Sequence, residues 1–284
     1  MDLYTAIRMG NINAVIEIFT SGISIDITLH QNQTPLMIAC RLGKSAIAKY
    51  LLDNNANICC VDKYNNTVLH IAFKNRHFNI LKTLSNYDIK NIINVKNDYD
   101  MLCIHYAWKY KRADIVYDLL LKGADIESLN EGNYTNLMYA CEYNNLKLVD
   151  YLINHGANIN LKNILNDTAL LIACFYCQTA IIFELIKYGA DVHVIDEEHK
   201  SCLIHLSESA CVIDRYNIAK YLIDAGLNVN NVDDKNNISL FYACAYDNIP
   251  FIKLLLEHGS NINDENESLM TCLMQACLYR GCLI

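Results

Sequence analysis

Thiols and imidazoles are the most reactive side chains in this 284-residue sequence, which carries 13 cysteines and nine histidines. Cys174-Phe175-Tyr176-Cys177 has the spacing of a redox dithiol or of half a zinc site, but a closed zinc site needs four ligands and no second pair stands at ligand spacing. His30, His77, His155, His193, His199 and His258 are scattered, without the i,i+4 pairing that puts two imidazoles on one helix face. There is no glycine-rich phosphate loop, metalloprotease helix motif or nucleophile elbow. An enzyme therefore has no anchor here, and neither a metal nor an organic cofactor is expected. The other reactive side chains are periodic. Cys40, Cys141, Cys174, Cys244 and Cys277 each follow an alanine, and His70, His105 and His205 each follow a leucine or isoleucine.

Those alanines and leucines belong to one repeat. Leu3, Leu36, Leu69, Ile104, Leu137, Leu170, Ile204, Leu240 and Leu273 recur at steps of 33 to 36 residues, the signature of a solenoid. Three residues after each comes a small side chain that lets two helix backbones approach closely: Ala6, Ala39, Ala72, Ala107, Ala140, Ala173, Ser207, Ala243 and Ala276. Sixteen residues past the alanine stands Gly22, Gly123, Gly156, Gly189 or Gly259, with Asn55 and Asp88 at the same place in two other units. A glycine there suits the positive φ of a helix C-cap. Each unit reads as helix, turn, helix, hairpin, and buries its apolar face on its two neighbours. A thiol directly after the alanine acts as a compact apolar side chain in that packing.

Composition supports a packed array: 53% hydrophobic and 19% charged residues do not make a disordered chain. The start, Met1-Asp2-Leu3-Tyr4, lacks a basic region followed by an apolar run. The most apolar stretch, Ala169 to Cys177, is far shorter than the ~20 residues of a membrane span. With an odd cysteine count and no secretory signal, a reducing compartment fits best: the cytoplasm, or else the nucleus or a host cytosol.

The sequence resembles the ankyrin repeat family along essentially its whole length. The family's Thr-Pro-Leu-His-x-Ala pattern stands best as Thr34-Pro35-Leu36-Met37-Ile38-Ala39 and Thr67-Val68-Leu69-His70-Ile71-Ala72, with weaker copies at Thr135 to Ala140 and Thr168 to Ala173. The resemblance implies an all-α solenoid with short β-hairpin fingers, of about nine stacked units, the first and last incomplete. Their bounds fall near 1–30, 31–63, 64–96, 97–129, 130–162, 163–196, 197–231, 232–264 and 265–284 within a single continuous domain, 1–284. It also implies that His70, His105 and His205 bridge backbone groups where a hairpin enters a helix. Leu273 to Ile284 supplies one helix without a second, so the sequence reads as ending inside a repeat, either as a fragment or sealed by another molecule.

In this family binding residues lie on the hairpin tips and on the exposed concave face of each first helix. Two and three residues after the alanine the pairs run Arg8-Met9, Arg41-Leu42, Lys74-Asn75, Lys109-Tyr110, Glu142-Tyr143, Phe175-Tyr176, Ala245-Tyr246 and Leu278-Tyr279. A basic end passes into an aromatic ladder. Tyrosine joins apolar area to a hydrogen-bonding tip and is enriched in interface hot spots. The candidate partner-binding residues are therefore Arg41, Lys74, Lys109, Tyr110, Glu142, Tyr143, Phe175, Tyr176, Tyr246 and Tyr279. Residues 1–142 carry 14 basic and 14 acidic side chains, and 143–284 carry 9 and 17. No surface is basic enough for nucleic acid, and a charge-asymmetric protein or peptide is the expected ligand. Neither a membrane nor a small-molecule substrate is expected. The function read from the sequence is a non-catalytic protein–protein interaction module that holds its partner in the concave groove. The alternative is a substrate-selecting adaptor or host-interaction effector whose output module, for example an F-box-like segment, is missing from this chain.

Overall fold

The computed structural model describes residues 1–208, 215–246 and 248–279, and all of their side chains but those of His30 and Tyr279. They form two compact units, Met1–Asn130 and Glu131–Ile284. Unit 1 contains α1 (Leu3–Met9), α2 (Ile12–Thr20), α3 (Pro35–Arg41), α4 (Ser45–Asp53), α5 (Val68–Lys74), α6 (Phe78–Leu84), α7 (Lys90–Ile93), α8 (Cys103–Lys109) and α9 (Ala113–Leu121). Unit 2 contains α10 (Asn136–Glu142), α11 (Leu146–Asn154), α12 (Ala169–Phe175), α13 (Thr179–Lys187), α14 (Cys202–Glu208), α15 (Arg215–Asp224), α16 (Ser239–Ala245), α17 (Ile249–Glu257) and α18 (Cys272–Tyr279). Each unit is an all-α repeat solenoid. The hairpin fingers are turns: among the described residues, extended pairing is limited to the isolated bridges Ile195–Ser201, Val232–Ile238 and Glu265–Thr271.

Two helix layers build each unit. In unit 1 the first helices pack in the order α1, α3, α5, α8 and the second helices in the order α2, α4, α6. In unit 2 the orders are α10, α12, α14, α16, α18 and α11, α13, α15, α17. First helices are about two turns long and begin where a threonine can cap them: the Thr34, Thr135 and Thr168 hydroxyls accept from the backbone N–H three residues on. Leu36, Leu69, Ile104, Leu137, Leu170 and Leu240 are buried between layers, and Ala39, Ala72, Ala107, Ala140, Ala173 and Ala243 have no exposed surface at all. Turns between paired helices pass through one residue of positive φ, at Gly10, Gly43, Arg76, Lys111, Asn144 and Cys177.

The seventh repeat corrects the sequence register. First helices begin at Pro35, Val68, Cys103, Asn136, Ala169, Cys202, Ser239 and Cys272, so Leu203 rather than Ile204 takes the leucine place, and Leu206 rather than Ser207 takes the alanine place. Both leucines are fully buried. From the sequence this repeat is expected to carry an insertion around Ser209 to Arg215, which follows α14, and residues 209–214 lie outside the described residues.

The third repeat also departs from expectation. Asn55 has positive φ, as its place requires, but Asp88 does not. Here the second helix, α6, is two residues shorter than α4 and α9, and α7 follows it and buries Ile92 and Ile93 beside Ile89. A cavity of about 510 Å³ lies here, lined mainly by residues of α6 and α9 together with Gly43, Ser45 and Leu69.

Candidate partner-binding site

Six hairpin tips share an Asx residue at one place, where the tip ahead of α3 has Leu29 instead. Asp62, Asn97, Asn163, Asp196, Asp233 and Asn266 each accept, on Oδ1, the backbone N–H groups two and four residues ahead, at 2.8–3.1 Å. The chain then reverses through a residue of positive φ: Asn65, Asp100, Asn166, His199, Asn236 or Leu269. Asparagine and aspartate tolerate that conformation best. Single backbone bonds string neighbouring tips together, Asp98 N–H to Tyr64 O in unit 1, and Glu197 to Leu165, Asp234 to Glu198 and Glu267 to Lys235 in unit 2.

These tips reach across to the exposed face of the first helices, and side chains close the gap. Asn97 donates to the Tyr106 hydroxyl at 3.2 Å, His205 Nε2 donates to Asp196 at 2.8 Å, and the Tyr242 hydroxyl donates to Asp233 at 2.5 Å. One turn further along the helix, the Tyr134 hydroxyl donates to Glu142 Oε2 at 2.8 Å, and Lys200 Nζ lies 3.0 Å from Glu208 Oε2. Burial and then the Glu142 carboxylate push the Tyr134 hydroxyl pKa up, and burial and then Asp233 do the same to Tyr242. Burial opposes ionisation of Asp196, but the hydrogen bonds from His205 and the Lys200 backbone outweigh it and hold the carboxyl below its usual range.

In each unit the residues singled out by sequence stand at the C-terminal ends of the first helices. In unit 1, Arg41 lines a cavity of about 370 Å³ with Tyr4, Leu29, Gln31, Gln33 and Ile38, and its buried Nε has no partner among the described residues. Lys74 is exposed with its ammonium 5.2 Å from the Tyr99 ring at the next tip, and Lys109 is exposed. Tyr110 caps α8 and is half-buried against Phe78, ring centroids 6.0 Å apart, with the Arg76 guanidinium 5.1 Å from its ring. In unit 2, Tyr143, Tyr176 and Tyr246 are likewise the C-caps of α10, α12 and α16. Tyr143 stacks on Tyr139 at 6.2 Å, Phe175 meets Tyr176 edge-on at 5.0 Å, and Tyr246 is exposed. Tyr279 ends α18, and its side chain lies outside the described residues. Sequence reasoning placed Tyr134 and Asp233 at hairpin tips and Glu208 on the first helix of repeat seven, but missed their contacts, and it missed Tyr139, Asp196 and Tyr242 altogether. Their signal is a spacing of eight or nine residues between tip and helix, repeated from unit to unit.

Three successive matches to the family model of ankyrin repeats, at residues 3–98, 103–196 and 204–283, cover nearly the whole chain. The chain belongs to the ankyrin repeat family. It is 29% identical over 119 residues to an ankyrin repeat protein of Acanthamoeba polyphaga mimivirus, a stretch that is 40% of this chain and 16% of that protein. It is 30% identical over 118 residues to the nuclear factor NF-kappa-B p105 subunit of Rattus norvegicus, covering 40% of this chain and 12% of that one. The chain thus spans only a small part of these relatives. Ankyrin repeats are generally protein–protein interaction modules, and the family is typically non-enzymatic.

Within this ankyrin array the reactive side chains have structural places. His70 Nδ1 accepts from the Thr67 backbone N–H at 3.2 Å and Nε2 donates to Met101 O at 2.9 Å, which bridges hairpin and helix as the resemblance implies. His105 keeps the first of these bonds, to the Leu102 N–H, while its buried Nε2 has no partner among the described residues. Burial lowers the pKa of both, His105 to about 4. His205 is the correction: one place further along its helix than the sequence register puts it, it faces the groove and Asp196. Cys174 is buried in α12 with its thiol beside Cys202 of α14, whereas Cys177 is the positive-φ turn residue, so their spacing reflects the helix end. Cys40 and Cys141 are also buried, but Cys244 is half-exposed and Cys277 exposed at the end of the array. All described cysteines are free, no metal-binding group of His, Cys, Asp or Glu occurs among the described residues, and no described helix is long and apolar enough to cross a membrane.

Proposed function

We propose that this chain is a non-catalytic interaction module that holds a protein or peptide in the groove between its first helices and hairpin tips, as one continuous array in a reducing compartment such as the cytoplasm. The observation that carries this reading is the exposed aromatic surface of unit 2: Phe175 and Tyr176 at the end of α12 are 51 and 49% exposed and Tyr246 at the end of α16 is 57% exposed, with Tyr143 at the end of α10. Rings of this size left in water on a rigid scaffold are what interface hot spots are made of. At the other end Arg41, Lys74 and Lys109 orient an acidic part of the ligand, with Arg41 already placed in a cavity beside two glutamines.

Affinity capture followed by titration with the captured partner tests this. Tyr176→Ala should weaken binding by ~2 kcal/mol, and Lys74→Glu should mainly slow association and change its salt dependence. Melting curves confirm that the variants fold. If both bind normally while substitutions at the tips, such as Tyr64→Ala and Tyr99→Ala, abolish binding, the tips carry the function instead.

A further inference from the structure

We propose that the groove of unit 2 takes a lysine or arginine side chain of its peptide ligand, seated between the Glu142 carboxylate and the rings of Phe175 and Tyr176. The inference rests on reading the groove as the peptide-binding surface and adds the chemistry of its occupant.

Glu142 is held in place by the Tyr134 hydroxyl, 2.8 Å from Oε2. On the next first helix, Phe175 and Tyr176 stand perpendicular with centroids 5.0 Å apart and form two walls of a corner, each about half exposed. Aromatic faces carry negative quadrupole potential and attract ammonium and guanidinium groups, most strongly beside a carboxylate. The turn after α12 lies against this glutamate, with Gln178 Nε2 donating to the Glu142 carbonyl at 3.4 Å, and the hydroxyls of Tyr143 and Tyr176 have raised pKa values, from burial first and from Glu142 next.

The protein supplies its own precedents. The repeat position of Tyr134 beside Glu142 is occupied two repeats later by Lys200 beside Glu208, with Nζ 3.0 Å from the carboxylate. A lysine is thus already seated against the carboxylate at this place in the fold. In unit 1 the Lys74 ammonium lies 5.2 Å from a tip ring, Tyr99, so the groove accommodates a cation over an aromatic as well. Charge points the same way, since residues 131–284 carry 9 basic against 19 acidic side chains. An acidic or purely apolar segment laid over Glu142 would strip water from a carboxylate without replacing its interactions.

The test is a titration of the full chain, with ring-labelled tyrosines followed by NMR, using N-acetyl-arginine amide and its neutral isostere N-acetyl-citrulline amide at low salt. The Tyr143 and Tyr176 rings should shift with an affinity about fivefold higher for the arginine probe. That preference should vanish in Glu142→Gln and in Phe175→Ala, and shrink in ~1 M salt on the unaltered chain, where screening acts without any mutation. Equal affinities for the two probes, or a preference that survives Glu142→Gln, overturns the inference. The groove reading fails separately: a captured partner indifferent to Tyr176→Ala removes that reading while an arginine preference at Glu142 still stands. Conversely, a partner that needs Tyr176 but binds Glu142→Gln with full affinity removes the cation and leaves the groove.

Discussion

Unit 1 and unit 2 set aromatic rings around the same repeat and surround them with opposite charge. In unit 1 the rings meet the protein's own cations: Lys63 at Tyr64, Lys74 at Tyr99, Arg76 at Tyr110 and Arg112 at Phe78, all within 5.2 Å of the ring centre. In unit 2 the groove tyrosines Tyr134 and Tyr242 donate to carboxylates, Glu142 and Asp233, and the Lys187 ammonium over Tyr188 lies at the end of a second helix, off the groove. The first-helix position that is Arg41, Lys74 and Lys109 in unit 1 becomes Glu142, Phe175 and Glu208 in unit 2. A cation over a ring inside one molecule stabilises that molecule, whereas the exposed rings Phe175, Tyr176 and Tyr246 stand in unit 2's acidic surroundings with their faces in water. The same scaffold thus spends one set of aromatics on its own packing and presents the other.

The contrast holds only if it is confined to the surface, with cores of equal quality. Leu69 in unit 1 and Leu137 in unit 2 occupy the same place and are 1 and 2% exposed. Leu69→Ala and Leu137→Ala should each cost ~2–5 kcal/mol of stability through lost burial and the cavity left behind. Denaturant midpoints measure this directly. A leucine whose truncation costs nothing would mean that one unit's core is loose, and that the difference between the units reaches below the surface.

Acid should separate the units next. His70 and His105 in unit 1 are kept neutral by burial, with His105 lowered from an ordinary 6.5 to about 4. Between those values the unfolded chain binds more protons than the folded one, so stability falls as pH drops from 6.5 towards 4 and then levels off for this group. In unit 2, Asp196 is held below 3.8, so its contribution is full above that pH and lost only below it. Asp167, raised chiefly by burial, acts in the opposite sense. Protection factors from hydrogen exchange at pH 7 and pH 5 should therefore drop more in α5 and α8 than in α10 and α12. Equal losses would show that the buried imidazoles do not control the acid response.

Much of this architecture is legible in sequence because the leucine and alanine of each first helix must recur together for backbones to stack. The reading slipped at the seventh repeat, where a small Ser207 resembled the repeating alanine. What fixes α14 is instead the tip ahead of it: Asp196 accepts from Glu198 and Lys200, and the helix begins two residues past Lys200. The candidate residues two and three places past the alanine were visible for the same periodic reason. Their partners across the groove were not, because Tyr134 to Glu142 or Asp233 to Tyr242 joins a turn to a helix by a polar contact that follows neither the helix nor the strand period. At Asp88 the local glycine-like expectation lost to tertiary packing, since three isoleucines at 89, 92 and 93 gain more by forming a buried turn of helix.

The smallest effect expected is also the most direct probe of the contrast. The Arg112 guanidinium lies 4.4 Å from the Phe78 ring centre and grips the Asp114 carboxylate through Nε and Nη2 at 2.8 and 2.5 Å. It is partly exposed, so water screens both interactions, and Arg112→Ala should lower stability by only ~0.5–1 kcal/mol. Arg112→Lys keeps the charge but loses the planar fork that stacks and chelates at once, and should recover part of the loss. Glu142→Gln in unit 2 retains an oxygen to accept from Tyr134, so its stability should stay within ~0.5 kcal/mol of the parent. Melting curves on the three variants decide the matter. If Glu142→Gln destabilises as much as Arg112→Ala, the carboxylate is serving the fold rather than a partner, and the two units would differ in the sign of their charges but not in the use made of them.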